Sequence, residues 1–303
     1  MINKMKLHRR FFAICFMALL PTAAFAQWPG IPKGWTDGYV YANGIRIHYY
    51  QAKPQPNKPT IVMAHGNSDI GLNWTTLTWK LENDYNIYMV DARGHGLTDP
   101  PSPSEPRDAM VKDLVEFIKV MGIKKPIIMG HSMGTGPARS IASDYPDLAR
   151  AIILLDPGLR TRVAAPGAAA NPAPAQPNPE ARVAQNNTSF DDLMAKCGRD
   201  TPKWSKVDCE YWALSKKQYH GTFAANTSAA SAPERTEDQL KRIKLPTLIL
   251  KQDASPADRA ADQAVVSALP NIKVVHIDGA GHNLHHDQLA RTVEVMTKFL
   301  KTL

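Results

Sequence analysis

The sequence predicts an α/β fold, with a mostly parallel sheet covered by helices on both faces. Two observations carry this prediction. Short, continuous apolar runs recur along the chain, as in buried parallel strands, and they alternate with segments whose apolar residues repeat at helical spacing. Strands that alternate with helices form parallel sheets between helical layers. Hydrophobic residues make up 44% and charged residues 21% of the chain, which suits a folded globular protein and excludes a disordered one.

The predicted elements follow one another in a regular order. A hairpin comes first, because the β-rich runs 39–42 and 45–50 flank Asn43-Gly44, a strong two-residue turn signal. Buried strands are predicted after it at residues 60–64, 87–90, 127–129, 152–155, 248–250 and 274–277. Helices are predicted at residues 74–81, 110–121 and 135–145, and at the C-terminus, where Leu289, Val293, Met296 and Leu300 share one face.

The first 26 residues are predicted to be a secretory signal peptide that is cleaved after Ala26. Four basic residues precede the apolar run 11–20, and the segment ends in the small-x-small sequence of residues 24–26. A membrane anchor is the rival interpretation, but the run is shorter than the ~20 residues that a membrane span needs. We therefore expect a mature protein that is secreted or periplasmic and has no stable membrane anchor.

The charge of the chain favours no polyanionic partner. The net charge is +8, and half of it comes from the four basic residues of the predicted signal peptide, which has no acidic residue. The remaining Lys and Arg residues form no run. Nucleic acid is therefore not predicted as a partner.

One stretch, residues 158–244, interrupts the alternation of strands and helices. It contains no buried-strand run; residues 162–182 are rich in Ala and Pro and are predicted to be a mobile loop, whereas 189–197 and 210–219 are predicted to be short helices. We expect a core of residues 27–157 and 245–303, with residues 158–244 inserted as a lid. Two cysteines remain after signal cleavage, Cys197 and Cys209. In an oxidising compartment they predict a disulfide that clips the lid, with two buried thiols as the alternative.

The chemistry is predicted to centre on Ser132. Residues 130–134 read Gly-His-Ser-Met-Gly and lie between a predicted strand and a predicted helix, which is the arrangement of a nucleophile elbow. The tight turn lifts the serine hydroxyl above the carboxyl edge of the sheet, and its small glycines let the strand and the helix approach. We therefore expect Ser132 to be a nucleophile.

A serine hydroxyl needs a base, and the base needs an acid that orients it. His282 is the predicted base, because it follows the last predicted strand in a Gly-rich loop. Two aspartates end predicted strands and can serve as the acid; Asp253 is preferred, and Asp156 stays open. His285 and His286 extend a His-x-x-His-His pattern, but no HExxH motif or Cys cluster accompanies it, and no metal site is predicted.

An oxyanion hole needs two preorganised N–H donors. The Met133 N–H is the predicted first donor, since it follows the nucleophile in the elbow. The Asn67 N–H is the predicted second donor, because it lies just past the third strand beside Gly66, which permits close approach of the backbone. Gly66, Trp74 and Trp212 are predicted to contact the substrate in a mostly apolar pocket.

Five stretches of the sequence form a recognisable series, in this order: HGNSDIGLNW (65–74), DARGHGLTDPP (91–101), GHSMG (130–134), LLDPG (154–158) and GAGH (279–282). Together they resemble the α/β-hydrolase superfamily over nearly the whole chain, from about Tyr39 to Leu303. The resemblance implies an eight-stranded sheet, a Ser-His-acid triad, a lid between strands six and seven, and no cofactor. The usual Gly-x-x-Asp after strand seven is replaced by Lys251-Gln252-Asp253. This departure keeps Asp156 open as the acid, since some members place it after strand six.

The residues and the resemblance together predict a secreted serine hydrolase that cleaves small carboxylic esters or lactones through an acyl-enzyme. Ser132 disfavours relatives with an aspartate nucleophile, such as haloalkane dehalogenases. Carbon–carbon bond hydrolysis, perhydrolysis and hydrolysis of small amides or peptides use similar residues and stay open. A non-catalytic ligand-binding module on the same scaffold is the alternative that is not an enzyme.

Overall fold

An eight-stranded sheet lies at the centre of the structure. The computed structural model describes residues 28–102, 104–160, 178–221 and 235–303. The strands in these ranges are β1 (Thr36–Ala42), β2 (Ile45–Gln51), β3 (Thr60–Ala64), β4 (Asn86–Val90), β5 (Ile127–His131), β6 (Ala151–Leu155), β7 (Thr247–Lys251) and β8 (Ile272–His276). They lie in the order β1-β2-β4-β3-β5-β6-β7-β8; β2 pairs antiparallel with β1 and β4, and the other neighbours pair parallel. The predicted mostly parallel sheet is confirmed.

Helices connect most of the parallel strands. Within the described ranges they are α1 (Thr75–Thr78), α2 (Ala109–Val120), α3 (Thr135–Asp144), α4 (Pro179–Asn187), α5 (Phe190–Asp200), α6 (Lys206–Lys217), α7 (Thr236–Arg242), α8 (Pro256–Val266), α9 (Leu284–Asp287) and α10 (Leu289–Leu300). Short 3-10 turns precede α1 at Gly71–Trp74 and α3 at Ser132–Gly134.

Two apolar cores lie on opposite faces of the sheet. Successive residues of a strand point to opposite faces, so Ile61 and Met63 of β3 pack into one core and Val62 packs into the other. The first core also takes apolar side chains from α1, α6 and α10, whereas the second takes those of α2, α3, α7 and α8. Burial on both faces explains the continuous apolar runs of the sequence.

Two predicted local elements need correction. The helix expected at residues 74–81 is a 3-10 turn followed by the four residues of α1, in which three threonines disfavour a longer helix and Thr75 Oγ1 donates to Leu72 O at 2.6 Å. The loop expected at residues 162–182 ends in α4, which begins at Pro179. Asn178 caps this helix by accepting from the Glu180 and Ala181 N–H groups, and proline suits its first turn.

The insertion, residues 158–244, lies between β6 and β7 and includes α4 to α7. Cys197 of α5 and Cys209 of α6 are joined by a disulfide, with Cα atoms 5.6 Å apart. These are the two cysteines that the sequence analysis pairs. The greater part of the predicted Ala- and Pro-rich loop, residues 161–177, lies outside the described residues.

The predicted signal peptide, residues 1–26, also lies outside the described residues. Within the part of the chain that is described, no helix combines the length and the apolar content that crossing a membrane requires. The sheet and its helices position the candidate site at the carboxyl ends of β3, β5 and β6.

Candidate active site

The turn between β5 and α3 presents Ser132. Its φ is +47°, a left-handed conformation that is unfavourable for a residue with a side chain and that recurs at functional sites. A Cβ atom on Gly130 would collide with the Gly134 carbonyl, and one on Gly134 would collide with the Ala64 carbonyl. Glycine at both positions therefore lets β5, β3 and α3 approach closely, and the packing holds Ser132 at the apex of the turn.

Three side chains at this edge of the sheet form a continuous chain of hydrogen bonds. Ser132 Oγ lies 2.8 Å from His282 Nε2, and His282 Nδ1 lies 2.6 Å from Asp156 Oδ2. Because a carboxylate only accepts hydrogen bonds, Nδ1 carries the proton and the Ser132 hydroxyl donates to Nε2. The His282 side chain is 49% exposed, whereas that of Asp156 is 6% exposed. The serine end of the chain is thus open to a ligand, and the carboxylate end is buried.

Both carboxylate oxygens of Asp156 accept hydrogen bonds. Oδ2 accepts from His282, and Oδ1 accepts from Lys251 Nζ at 2.8 Å and from the Gln252 N–H at 3.2 Å. Burial acts to raise the pKa of Asp156, but the hydrogen bonds from His282 and Lys251 and the Lys251 charge outweigh it, so the pKa lies below its usual value. Asp156 is therefore held as a carboxylate beside His282. The sequence alone assigns no role to Lys251. The departure from Gly-x-x-Asp at Lys251-Gln252-Asp253 is the feature that could have drawn attention to it.

The structure corrects the preference for Asp253 as the acid. The Asp253 carboxylate accepts from Arg259 at 2.5 Å and from the N–H groups of Ala254 at 2.8 Å and Gly279 at 2.9 Å. These bonds tie the loop after β7 to the loop after β8. The strand that precedes Asp156, β6, is the direct neighbour of β5, whereas β7 lies one strand farther from Ser132. Asp253 is thus a residue that braces a turn, and Asp156 is the aspartate that contacts His282.

The two predicted oxyanion donors lie in turns that leave their N–H groups unused. Met133 is the second residue of the 3-10 turn Ser132–Gly134, and the first N–H groups of a helical turn have no partner within it. Asn67 is the second residue of a turn closed by the Asp69 N–H, which donates to Gly66 O at 3.2 Å. The hydrogen bond of such a turn does not use the N–H of its second residue. Both groups are therefore available to a ligand at Ser132.

A cavity of about 250 Å³ lies over Ser132 and His282. Most of its lining residues are polar: they are Gly66, Asn67, Ser68, Asp69, His131, Ser132, Trp204, Trp212, Lys216, His282 and Asn283. Gly66 and Trp212, two of the predicted substrate contacts, are among them. The expectation of a mostly apolar pocket needs correction, because Trp204 and Trp212 are the only large apolar side chains among the described residues of this lining. A second cavity of about 290 Å³ adjoins the first at Trp204, His282 and Asn283.

Trp74, the third predicted substrate contact, does not line the cavity. Its side chain is 1% exposed, and its ring lies 4.7 Å from the His285 ring and 6.3 Å from the His131 ring. The 3-10 turn before α1 directs this indole into the core behind the site. Burial of a large aromatic surface explains its place better than contact with a ligand, so the expected substrate contact at Trp74 is wrong.

Three further histidines lie next to the site and are buried. His131 Nε2 donates to the His282 carbonyl at 3.0 Å, and burial lowers the pKa of His131 to about 4, so the ring is neutral near pH 7. His286 Nδ1 donates to Asp208 Oδ1 at 2.9 Å, while His285 packs against His131. Among the described residues, no group of three or more His, Cys, Asp or Glu side chains is placed to hold a metal ion. His131 thus supports the loop that carries His282.

Comparison with known proteins relates this site to a family. A model of the alpha/beta hydrolase family matches residues 61–295. The chain belongs to this family. N-formylmaleamate deformylase of Pseudomonas putida is 28% identical to it over 259 residues, which cover 83% of this chain and 91% of the relative. 2-(Acetamidomethylene)succinate hydrolase of Mesorhizobium japonicum is 23% identical over 256 residues, which cover 80% of this chain and 88% of the relative.

Solved structures share the fold of this alpha/beta hydrolase. The crystal structure of E-2-(acetamidomethylene)succinate hydrolase superposes on it with a TM-score of 0.67 at 19% sequence identity. The superposition covers 88% of this chain and 99% of that chain. At this identity the likeness shows the fold alone, and it agrees with the eight-stranded sheet described here. Membership of the family identifies the protein as a hydrolase, in a family that acts on small molecules.

Proposed function

We propose that this alpha/beta hydrolase cleaves small carboxylic esters or lactones through a covalent acyl-enzyme on Ser132. One observation carries the proposal, the chain of hydrogen bonds from Ser132 Oγ through the His282 ring to Asp156, at 2.8 and 2.6 Å. A serine hydroxyl that donates to an imidazole can lose its proton to that ring as it attacks a carbonyl carbon. The exposed serine end of the chain faces the cavity in which the carbonyl would bind.

Acylation starts when Ser132 Oγ attacks the carbonyl carbon and His282 Nε2 takes the hydroxyl proton. The negative charge that develops on the carbonyl oxygen is stabilised by the Met133 and Asn67 N–H groups, which act on charge formed in the transition state. Asp156 holds the other proton on Nδ1 and stabilises the imidazolium. The bond from the carbonyl carbon to the leaving oxygen then breaks, and His282 gives that oxygen its proton.

Deacylation repeats these steps with water as the nucleophile. His282 removes a proton from the water as it attacks the acyl carbon, and the same two N–H groups bind the oxyanion. Collapse of the intermediate releases a carboxylic acid and returns the proton to Ser132 Oγ. With a lactone the leaving oxygen stays attached to the acyl group, so the product is a single hydroxy acid.

The proposal includes export from the cytoplasm and a lid over the site. The pattern of residues 1–26 supports export, and so does the disulfide of the insertion, because disulfides persist in oxidising compartments. The contributions of Trp204, Trp212 and Lys216 to the cavity support a covering role for the insertion. The intact mass of the exported protein tests the first point, since cleavage after Ala26 should remove the mass of residues 1–26.

Labelling with a fluorophosphonate tests the nucleophile before the substrate is known. The reagent forms an oxygen–phosphorus bond with an activated serine and releases fluoride, so the folded protein should gain the mass of one adduct. Ser132→Ala and heat-unfolded wild-type protein should gain none. Absence of an adduct on the folded wild type, or an adduct on Ser132→Ala, would contradict the proposal. Protein that labels can then be assayed against panels of esters and lactones.

Hydrolysis of small amides is a second candidate, and the relatives favour it. The names of both enzymes describe substrates with an acyl group on nitrogen, which is formyl in one and the acetyl of an acetamido group in the other. Ester and amide cleavage share the acyl-enzyme, but a nitrogen leaving group depends more on the proton that His282 donates. Matched esters and amides of one acyl group separate the two. A higher kcat/KM for the amide would replace the ester proposal.

A further inference from the structure

Lys216, near the C-terminal end of α6, reaches from the insertion to the loop that carries Asn67. Its Nζ donates to Ser68 O and to Ser68 Oγ, both at 2.8 Å, and lies 3.6 Å from Asp69 Oδ1. The Lys216 side chain is 6% exposed. Two of the three N–H donors of the ammonium group are thus bonded to Ser68, and its charge forms an ion pair with Asp69. Lys216 lines the cavity, but its charge is already paired within the protein.

The residue that Lys216 binds has an unfavourable backbone conformation. Ser68 has a φ of +57° and is the third residue of the turn that the Asp69 N–H closes on Gly66 O. A positive φ at this position of a turn favours Gly or Asn, so serine needs support from outside the turn. One ammonium holds both the carbonyl and the hydroxyl of Ser68. It thereby restrains the residue directly after Asn67.

The helix that carries Lys216 is itself anchored to the core. Thr76 Oγ1 donates to Asp208 Oδ1 of α6 at 2.7 Å, and His286 Nδ1 donates to the same oxygen at 2.9 Å. The disulfide joins α6 to α5. Just past the helix, the Tyr219 hydroxyl donates to Asn67 Oδ1 at 3.2 Å. The C-terminal end of α6 and the residues after it thus hold two successive residues of the turn from a fixed support.

Asp69 balances the charge of Lys216 in this buried setting. Burial lowers the pKa of Lys216, and the Asp69 charge partly offsets that effect. Burial acts in turn to raise the pKa of Asp69, but Lys216 and the neighbouring histidines outweigh it and the pKa of Asp69 is lowered. A cation that is bonded to Ser68 and paired with Asp69 braces the loop, and its charge is already balanced within the protein.

We infer that Lys216 is a positioning residue for the reaction: it holds the turn at Ser68 so that the Asn67 N–H faces the carbonyl oxygen of a substrate bound at Ser132. This inference rests on the proposed function, because it takes Asn67 as an oxyanion donor. It also gives the insertion a part in the chemistry besides covering the site. A positioning residue of this kind acts on kcat, whereas a residue that binds the substrate equally in ground and transition states acts on KM.

The test uses a double variant that removes the cation and its counter-charge together. Lys216→Met/Asp69→Asn keeps the buried pair neutral, and its thermal midpoint reports whether it is folded. We expect kcat for an ester to fall about 10- to 100-fold, short of the ~10²- to 10³-fold loss of a whole oxyanion donor, with KM changed by less than about twofold. The milder Lys216→Arg keeps the charge but not the geometry of the ammonium, and it should lower kcat by less.

Ser68→Gly provides the control that separates positioning from general damage. Glycine adopts a φ of +57° without strain, so the turn should no longer need Lys216. Added to the double variant, Ser68→Gly should restore most of the lost kcat. An unchanged kcat, a loss confined to KM, or a failure of Ser68→Gly to restore kcat would each overturn the inference. Fluorophosphonate labelling of the wild type is scored separately, so its absence would count against the proposed function itself.

Discussion

His282 Nδ1 donates to Asp156 Oδ2 across 2.6 Å, and Asp156 stands directly after β6 in a left-handed backbone conformation with a φ of +49°. The other candidate acid, Asp253, is held by Arg259 and by two backbone N–H groups. The structure thus separates two aspartates that both follow strands of the sheet. The aspartate that contacts His282 is Asp156, whose pKa is lowered by its interactions with His282 and Lys251.

Asp156→Asn should lower kcat/KM far more than Asp253→Asn. An amide in place of the carboxylate neither fixes the proton on Nδ1 nor stabilises the imidazolium, and the loss expected from such a change is about 10³- to 10⁴-fold. Asp253→Asn alters an exposed turn and should change kcat/KM by less than about threefold. Initial rates with one ester, measured on variants of matched thermal stability, compare the two. Equal losses would mean that neither aspartate acts as assigned.

Lys251→Met should move the acidic limb of the pH profile of kcat/KM to higher pH. The Lys251 ammonium lies 2.8 Å from Asp156 Oδ1 and its side chain is 13% exposed. This cation helps to hold the pKa of Asp156 below its usual value. Without it the pKa of Asp156 would rise, so the carboxylate that fixes the proton on Nδ1 would be lost at a higher pH. We expect a displacement of up to about one pH unit, measured from kcat/KM between about pH 3 and pH 7.

Arg259→Met is the matched control for Lys251→Met. Arg259 lies 2.5 Å from the Asp253 carboxylate, so this variant removes a cation from the other aspartate. It should leave the acidic limb where it is. An unchanged limb in Lys251→Met, or an equal displacement in Arg259→Met, would contradict a specific effect of Lys251 on the pair formed by Asp156 and His282.

The sheet and the elbow could be predicted because their causes are local. A strand buried on both faces is apolar at every position, as residues 127–129 are, so it can be identified without knowledge of its neighbours. The close approach of backbones around Ser132 likewise requires glycine at 130 and 134, and this requirement can be recognised in the sequence of residues 130–134 alone.

The choice of the acid and the supports of the site could not be predicted, because they depend on contacts between distant residues. Asp156 and Asp253 both follow strands, and what separates them is the position of β6 and β7 relative to β5. Lys216 and Ser68 are 148 residues apart, and no spacing rule connects them. The predicted substrate contact at Trp74 is wrong for a related reason. A large aromatic residue near the site can either line a pocket or fill the core.

The disulfide of the insertion should stabilise the folded chain. Cys197 and Cys209 are 12 residues apart, and closing a loop of this length is worth about 3 kcal/mol by its effect on the unfolded chain. Cys197→Ser/Cys209→Ser should therefore lower the free energy of unfolding by about 2 to 3 kcal/mol in urea titrations. Reduction of the wild type should produce a similar loss and should leave the double variant unchanged. If verified reduction left the free energy of unfolding of the wild type unchanged, the disulfide would not have this role.

Buried histidines should make the folded state sensitive to mild acid. Burial lowers the pKa of His131 to about 4 and that of His95 to about 3, and it holds the pKa of His285 well below 6.5. In the unfolded chain each takes up a proton near pH 6.5. Between pH 6.5 and pH 4 the unfolded state therefore binds more protons, and the free energy of unfolding falls as the pH falls, by up to about 1.4 kcal/mol per pH unit for each histidine.

One histidine opposes this trend, and one variant isolates it. Burial acts to lower the pKa of His48, but its hydrogen bonds with Asp91 and Asp37 outweigh burial and raise it, so His48 offsets part of the loss. Urea unfolding near pH 7, 6 and 5 measures the net slope. His285→Phe keeps a ring against Trp74 but removes one base, and it should flatten the slope by up to about 1.4 kcal/mol per pH unit. If His285→Phe had the wild-type slope, the protons taken up on unfolding would have to bind elsewhere.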